Sequence, residues 1–271
     1  MLDTLEEAFY GCRSLTGNDF TMLMLLLHDG ITNISKMFMF CTGINATLKY
    51  DLFRHCPNVL DISSFCEGSG VQGGIYSRME NYDENDTTTY GTFDFIRKVQ
   101  HVSNAFLGSG IEYIDNNVFA PYIKDGDLTY FGLQDADYVF ARCNNLQSCE
   151  KVTRAQIIPN GTLKSKTFFT NLRSLGKFPK YMFEGCTQVN MDIESATIGD
   201  VTFDYLFHWP SEINIRTIDS TIYTGINLIG EIHDNVFGGK LSSDGEMSIV
   251  QFTVIDSPFS NSGNSIYCNL S

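Results

Sequence analysis

Basic residues, tryptophan and long apolar runs are what this 271-residue chain has least of. Its 18 Lys and Arg stand against 32 Asp and Glu, for a formal net charge of −14. A chain so charged repels phosphates rather than neutralising them, which disfavours nucleic acid and anionic membrane surfaces as partners. The longest apolar stretch, residues 20–27, is far below the ~20 residues a membrane-spanning helix requires. No CxxC pair occurs, which argues against zinc. The five histidines (His28, His55, His101, His208, His233) form no HExxH or HxH pattern, so no spacing supports a metal or acid–base role. The glycine-rich GSGVQGG at 68–74 lacks the Lys-Ser/Thr of a phosphate loop and reads as a flexible turn. The opening, MLDTLEEAFYGC, is acidic where an export leader needs a positive segment. The expectation is a piece of a longer protein, or a component such as part of a virion that travels without its own leader.

Against one Trp there are 21 Phe and 13 Tyr, and hydrophobic content is 43%, enough for a continuous core. The excess of Phe implies a recurring structural position. FPKYMFEGCTQV at 178–189 has that position at its centre: an apolar residue before Phe183, then Cys186 and Val189 at steps of three. The frame returns imperfectly along the chain. Cys12, Cys41, Cys56, Cys143 and Cys186 follow Phe9, Phe38, Phe53, Phe140 and Phe183 by three residues. Phe106 has Ser109 in the Cys position, while Phe119, Phe207 and Phe237 mark further copies, and Phe65 and Phe169 weaker ones. A Cys in register with a core Phe reads as a small buried apolar filler. Cys66, Cys149 and Cys268 fall outside that register and are candidate free thiols.

Each unit reads as a short strand, such as 111–114, followed by a polar step and one helical turn carrying the Phe. Neither the aliphatic ladder nor the Phe ladder is buried by one unit alone, so the copies must stack, with strands parallel. The expected fold is an α/β repeat: repeats over 1–66, an inserted loop region at 67–98, repeats over 99–239, and a C-terminal cap of edge strands at 240–271.

At these residues the chain resembles the BspA-type leucine-rich repeat proteins of bacterial surfaces. ITNISKMFMFC at 31–41 is similar to that family's VTNMSxMFxGC phrase. IEYIDNNVFA at 111–120 and IGEIHDNVFG at 229–238 resemble its LxxIxxxxF phrase. The resemblance covers roughly residues 2–239, discontinuously. It implies a right-handed leucine-rich-repeat solenoid with short parallel strands and short helical turns, used for adhesion or receptor recognition. It brings no catalytic residues and no cofactor.

Sites for chemistry are few. His55 abuts Cys56, but adjacent side chains point in different directions, so the pair reads as structural. The acidic pairs Asp83/Glu84/Asp86, Asp125/Asp127 and Asp244/Glu246 lack the spacing of a calcium loop and read as solvated loops. Five NxS/T sequons, at Asn33, Asn45, Asn85, Asn160 and Asn269, matter only on a eukaryotic secretory route. Aromatic residues in or beside the insertion, Tyr76, Tyr82 and Tyr90, are the candidate ligand contacts, because such rings give large contact areas at low entropy cost. Trp209 joins them, its alternative being to pack into a unit whose Cys position is Pro210. The expected function is non-enzymatic recognition outside a bacterium or on a phage particle, of a protein or glycan. The alternatives are a virion fibre or decoration protein contacting copies of itself, and a hydrolase grafted on the stack.

Overall fold

The computed structural model describes residues 3–192 apart from 82, 84, 125–126, 176–178, 180–181, 184–185 and 187. Beyond 192 it describes only 197–198, 201–202, 216–217, 227–228 and 252–253.

The local rule of this chain is a nine-residue turn with two residues in the left-handed backbone region. Such turns occupy 4–12, 33–41, 61–69, 101–109 and 135–143, and their first residues, Thr4, Asn33, Asp61, His101 and Asp135, bridge one another in parallel. The fourth position is left-handed at Glu7 (φ 57°), Lys36 (54°), Ser64 (55°), Asn104 (59°) and Tyr138 (59°). The eighth is left-handed at Gly11, Phe40, Gly68, Gly108 and Arg142. An L residue held there costs about 1–2 kcal/mol, so the surroundings must compensate.

They do so through an amide ladder that runs one way within the nine-residue turns, while the residues just before them, Thr32, Leu60, Gln100 and Gln134, donate back to Asp3, Thr32, Leu60 and Gln100. The N–H groups of Leu5, Glu7, Phe9 and Gly11 donate to the carbonyls of Asn33, Ser35, Met37 and Met39 at 2.8–3.1 Å. Those of Ile34, Lys36, Phe38 and Phe40 donate in the same register to Asp61, Ser63, Phe65 and Glu67, and the third turn donates likewise to the fourth. The remaining amides close the turn on itself, as where Ala8, Tyr10 and Cys12 donate to Leu5, Glu7 and Phe9. Almost every backbone group inside the stack is thereby partnered, as burial demands. The first residue of a turn adds a side-chain cap: Asn33 and Asp61 each accept the amide two residues on at 2.8 Å.

His101 occupies that capping position in the fourth turn, and Asp135 of the fifth reaches back to do its work. Its carboxylate accepts the Ser103 amide (3.1 Å) and hydroxyl (2.6 Å) and meets Nδ1 of His101. Burial pushes the Asp135 carboxyl up, but the Ser103 and His101 contacts outweigh it and hold the group below its ordinary value. A depressed carboxyl stabilises the fold above its unfolded pKa, about 3.9, and that stability is lost as pH falls through the folded value. The urea midpoint is therefore expected to fall on acidification from pH 6 to pH 3, and more shallowly in Asp135→Asn. Equal slopes for the two proteins would show that the carboxylate contributes nothing.

Between the turns the chain makes a second set of parallel pairings and a set of excursions. In chain order the elements are α1 (Gly17–Leu25), β1 (Gln72–Gly74), β2 (Gly110–Ile114), β3 (Tyr122–Lys124), β4 (Asp127–Thr129), β5 (Gln147–Ser148), β6 (Lys151–Thr153), β7 (Gln156–Ile158), β8 (Leu163–Lys164), α2 (Ser165–Thr170) and β9 (Asn190–Asp192). β1, β2 and β5 form a parallel sheet, extended by the bridges Thr47↔Gln72 and Gln147↔Gln188. β8 and β9 pair in parallel, while β3/β4 and β6/β7 are antiparallel hairpins. α1 begins at a Thr16–Asp19 capping box, which satisfies its first amides, and turns Phe20 and Met24 inward.

Two Phe columns, rather than the single one expected, fill the core. Phe9 stacks on Phe38 (5.6 Å, 10°), Phe106 on Phe140 (6.3 Å, 14°) and Phe140 on Phe183 (5.7 Å, 22°). The excursions supply the second column: Phe53 on Phe93 (6.4 Å, 16°), Phe93 on Phe119 (5.0 Å, 17°), then Phe119 edge-on to Phe168 (6.0 Å, 79°). The columns touch at Phe20–Phe38, Phe53–Phe65, Phe93–Phe106, Phe119–Phe140 and Phe168–Phe183. Successive Phe residues alternate between columns, which is why their spacing along the chain is irregular.

Two expectations need correction. Cys66 lies outside the thiol register, as expected, yet inside the stack: it takes the sixth position of the third turn, where its neighbours carry Phe, Ser69 holds the thiol position, and Phe65 fills the space against Phe38 and Phe53. The register thiols are more than apolar filler. Cys41, Cys143 and Cys186 direct Sγ at the carbonyls of Phe9 (2.9 Å), Phe106 (2.9 Å) and Phe140 (3.0 Å), joining each turn to the one before. Nor is 67–74 a flexible start to an insertion. Gly68 supplies the left-handed eighth position (φ 60°), a Cβ on Gly70 would lie 2.0 Å from the Ile44 carbonyl, and β1 follows inside the sheet.

The first turn is an edge: Phe9 is half-buried and Cys12 exposed, whereas the other six described thiols are buried. Burial pushes Cys56 and Cys143 up to about 12 and Cys149 up to about 11. Iodoacetamide at pH 8 is expected to label Cys12 in the native protein and the buried thiols only in denaturant, as read by peptide mapping. Native labelling of Cys143 would contradict the packing. Of the cap expected at 240–271, only 252–253 is described, paired in parallel with 216–217. Phe207, Phe237, Tyr82, Trp209 and Cys268 lie outside the described residues. Among the described residues no helix is long and apolar enough to cross a membrane.

Candidate binding cleft

The excursion between β1 and the fourth turn builds the candidate site. It leaves the sheet through amides of Ile75 and Ser77, which donate to Tyr113 (2.8 Å) and Val152 (2.7 Å). It is then pinched shut: Thr92 N–H donates to Tyr76 O (2.9 Å), Tyr76 N–H to the Thr92 hydroxyl (2.9 Å), and Met79 N–H to Thr89 O (2.9 Å). Gly91 is required here, because a Cβ would lie 2.5 Å from the Tyr76 carbonyl. At the tip, Asp83 accepts the Asn85 amide (2.9 Å) and Asp86 the Thr88 amide (2.9 Å) and hydroxyl (2.6 Å). Two acids of a run that reads as a solvated loop thus cap the loop's own backbone.

Beneath the pinch, Asp94 is 6% exposed and gathers four donors. Arg78 meets it as a fork, Nε to Oδ2 at 3.0 Å and Nη2 to Oδ1 at 2.6 Å, and the Gly91 amide donates at 2.7 Å. Arg97 Nη2 completes the set. Burial pushes the Asp94 carboxyl up, with Arg78 and the Gly91 amide pulling against that rise. Both guanidiniums also donate to the backbone before β3: Arg78 to Pro121 O (2.8 Å), Arg97 to Ala120 O (3.3 Å). The Arg97 guanidinium lies 4.4 Å from the Tyr122 ring centre and 4.2 Å from that of Phe131.

Above this base opens a cleft of about 310 Å³ lined by Thr87, Tyr90, Asp94, Phe95, Arg97 and Tyr122. Tyr90 and Phe95 stack as one wall, 4.9 Å apart at 19°. The volume is at the lower end of the roughly 300–1,000 Å³ of small-ligand sites, and its lining sets three aromatic residues beside three polar or charged ones.

Of the aromatic residues expected to contact ligand, Tyr90 lines the cleft. Tyr76 stands half-buried at the loop base, its phenol pushed up by burial and by nearby Glu112, and is not part of the lining. Thr87, Asp94, Phe95, Arg97 and Tyr122 carry no repeat or motif signature. The available hint is that Arg78 and Arg97 flank an acidic tip, which invites pairing with an inward acid.

Elsewhere, His55 is exposed while Cys56 lies in the core with its thiol directed at Phe53 O (3.5 Å), so no thiolate–imidazole pair is assembled. The Ser103–Asp135–His101 trio has its carboxylate between hydroxyl and imidazole, whereas nucleophilic catalysis needs the imidazole in the middle. Asp115, 1% exposed, accepts the Ser77 hydroxyl and the amides of Asn117 (2.7 Å) and Val152 (2.6 Å), tying the excursion to the β6/β7 hairpin. Among the described residues no group of three His, Cys, Asp or Glu is placed to hold a metal ion. Comparison of the chain with family models, with curated proteins and with solved structures gave no match.

Proposed function

We propose that the chain is a non-enzymatic recognition module, a right-handed leucine-rich solenoid of the BspA-like kind displayed outside a bacterium or on a phage particle, which binds a protein or glycan. The parallel bridges and one-way ladder support the solenoid, because they repeat the same joint from turn to turn. The observation that carries the recognition role is the cleft at Tyr90, Phe95 and Tyr122, an aromatic concavity presented by an excursion and braced from below by ion pairs. Such a scaffold lets surface loops vary without disturbing the core.

The test replaces the tip, residues 80–88, with a Gly-Ser linker and measures binding to a glycan array and to bacterial cells. Loss of binding with an unchanged melting temperature is expected. Unchanged binding would move the site to the face of the stack, and hydrolysis of a polysaccharide panel abolished by one carboxylate substitution would overturn the non-enzymatic reading.

A second reading, a virion fibre or decoration protein that associates with itself, is favoured by the first turn. No described residue donates to the carbonyls of Thr4, Glu6, Ala8 and Tyr10, and the Tyr10 side chain of that turn is exposed, as are Met22, Leu25 and Leu26 further along the chain. A trimer or larger particle by light scattering supports this reading; a monomer supports the first.

A further inference from the structure

Resting on the recognition reading, we propose that the cleft takes a sugar ring bearing one carboxylate, the carboxylate on Arg97 and the ring against Tyr90 and Tyr122. The cleft is locally cationic in a chain of net charge −14: two guanidiniums surround one carboxylate, and Asp94 is already occupied by Arg78, Arg97 and the Gly91 amide. Arg97 lines the cleft with donors to spare. A guanidinium carries five N–H groups, and Arg97 engages Asp94 and Ala120 O, so three remain without a partner among the described residues. Its side chain is only 14% exposed, and the Tyr122 and Phe131 rings hold its plane. A fixed planar fork is the group that matches a carboxylate's two oxygens.

The rest of the lining selects what the carboxylate is attached to. Tyr90, Phe95 and Tyr122 line the cleft with aromatic surface, which suits the weakly positive C–H face of a sugar ring. The Thr87 hydroxyl adds a polar group for a ring hydroxyl. The tip disfavours heavily charged ligands, since exposed Asp83 and Asp86 lie in the same tip as the cleft residue Thr87 and repel a polyanion, while Glu80 is paired with Lys151. One excess positive charge behind an acidic rim is the balance for a single carboxylate per ring.

The experiment titrates the full chain with glucuronic acid and N-acetylneuraminic acid, against glucose, acetate and inorganic sulfate, by isothermal calorimetry and ligand-observed NMR. A carboxylated sugar is expected to bind at least about tenfold more tightly than glucose or acetate, the scale of one charge-assisted hydrogen bond. Arg97→Lys, which keeps the charge but loses the fork, is expected to weaken binding about tenfold. Should that variant melt early, Thr87→Val serves instead, with a smaller loss for the sugars and none for acetate. Equal affinity for glucose and glucuronic acid overturns the assignment to Arg97, and equal affinity for acetate or sulfate overturns the sugar. If every titration is silent while the tip replacement still abolishes binding to cells or the array, this inference fails and the recognition reading stands. If the unaltered chain binds no cell and no array, the recognition reading itself fails.

Discussion

Phe93→Ala is expected to destabilise the protein by about 3–5 kcal/mol, the range for a large aromatic truncated in a close-packed core. Phe93 is 1% exposed and lies between Phe53 and Phe119 in its own column while meeting Phe106 of the other. Its neighbours are themselves large and held by the backbone ladder, so the space cannot collapse and much of the cavity cost remains. Domains of this kind are stable by about 5–15 kcal/mol, so one ring accounts for a sizeable share. The measurement is urea unfolding of the variant beside a tip variant such as Asp86→Ser, whose change is expected within about 1 kcal/mol. A loss below about 1 kcal/mol for Phe93→Ala would mean that the excursion is peripheral and that the second column ends at Phe53. The result also decides how the site can be probed, because deleting 67–98 whole would remove Phe93, Ile96 and β1 along with the loop.

Asp94→Ala is the second large effect, with an expected loss of about 3–5 kcal/mol. Removing one partner of a buried ion pair leaves the other charge uncompensated, and here two guanidiniums are left, 11% and 14% exposed. The Gly91 amide loses its acceptor too. Asp94→Asn keeps an acceptor for that amide and should fall between the variant and the parent. Combining Asp94→Ala with Arg78→Met and Arg97→Met is expected to recover much of the loss, since the set is then replaced by apolar groups. If the triple variant were no more stable than Asp94→Ala, the cost would lie in lost packing instead of stranded charge. The triple variant lacks Arg97, so binding of a carboxylate should disappear in it, whereas Asp94→Ala keeps that guanidinium in the cleft.

What could be seen in the sequence follows from what a sequence states openly. Phe38 and Cys41, or Phe140 and Cys143, stand at a fixed offset, and that offset is visible in letters. Which side of the core a ring enters is not. Phe53 with Cys56 shows the same offset as Phe38 with Cys41, yet the two rings belong to different columns, because Phe53 lies on an excursion and Phe38 in a nine-residue turn. The exchange at Phe65 and Cys66 hides the third turn, since packing there is conserved in volume across two positions and not in order. Phe93 is hidden further, having no Cys three residues on. The cleft was legible only at Tyr90. Asp94 and Arg97 pair three residues apart, but Tyr122 meets them because the excursion folds back on β3, and pairing across 25 or more residues leaves no local trace. Left-handed Lys36 and Tyr138 were equally hidden, for glycine is the letter that announces that backbone and here the inter-turn amides hold ordinary residues in it.

The direction of those amides has one further consequence. Within the nine-residue turns each rung passes from nitrogen in the earlier turn to oxygen in the later, so a turn has unlike faces, and on the first turn the carbonyls of Thr4, Glu6, Ala8 and Tyr10 accept from no described residue. Two molecules placed nose to nose would oppose like dipoles and could not share a rung. A chain seated on that face would bring its amides forward to those carbonyls, a contact between unlike faces and therefore heterologous rather than a two-fold pair.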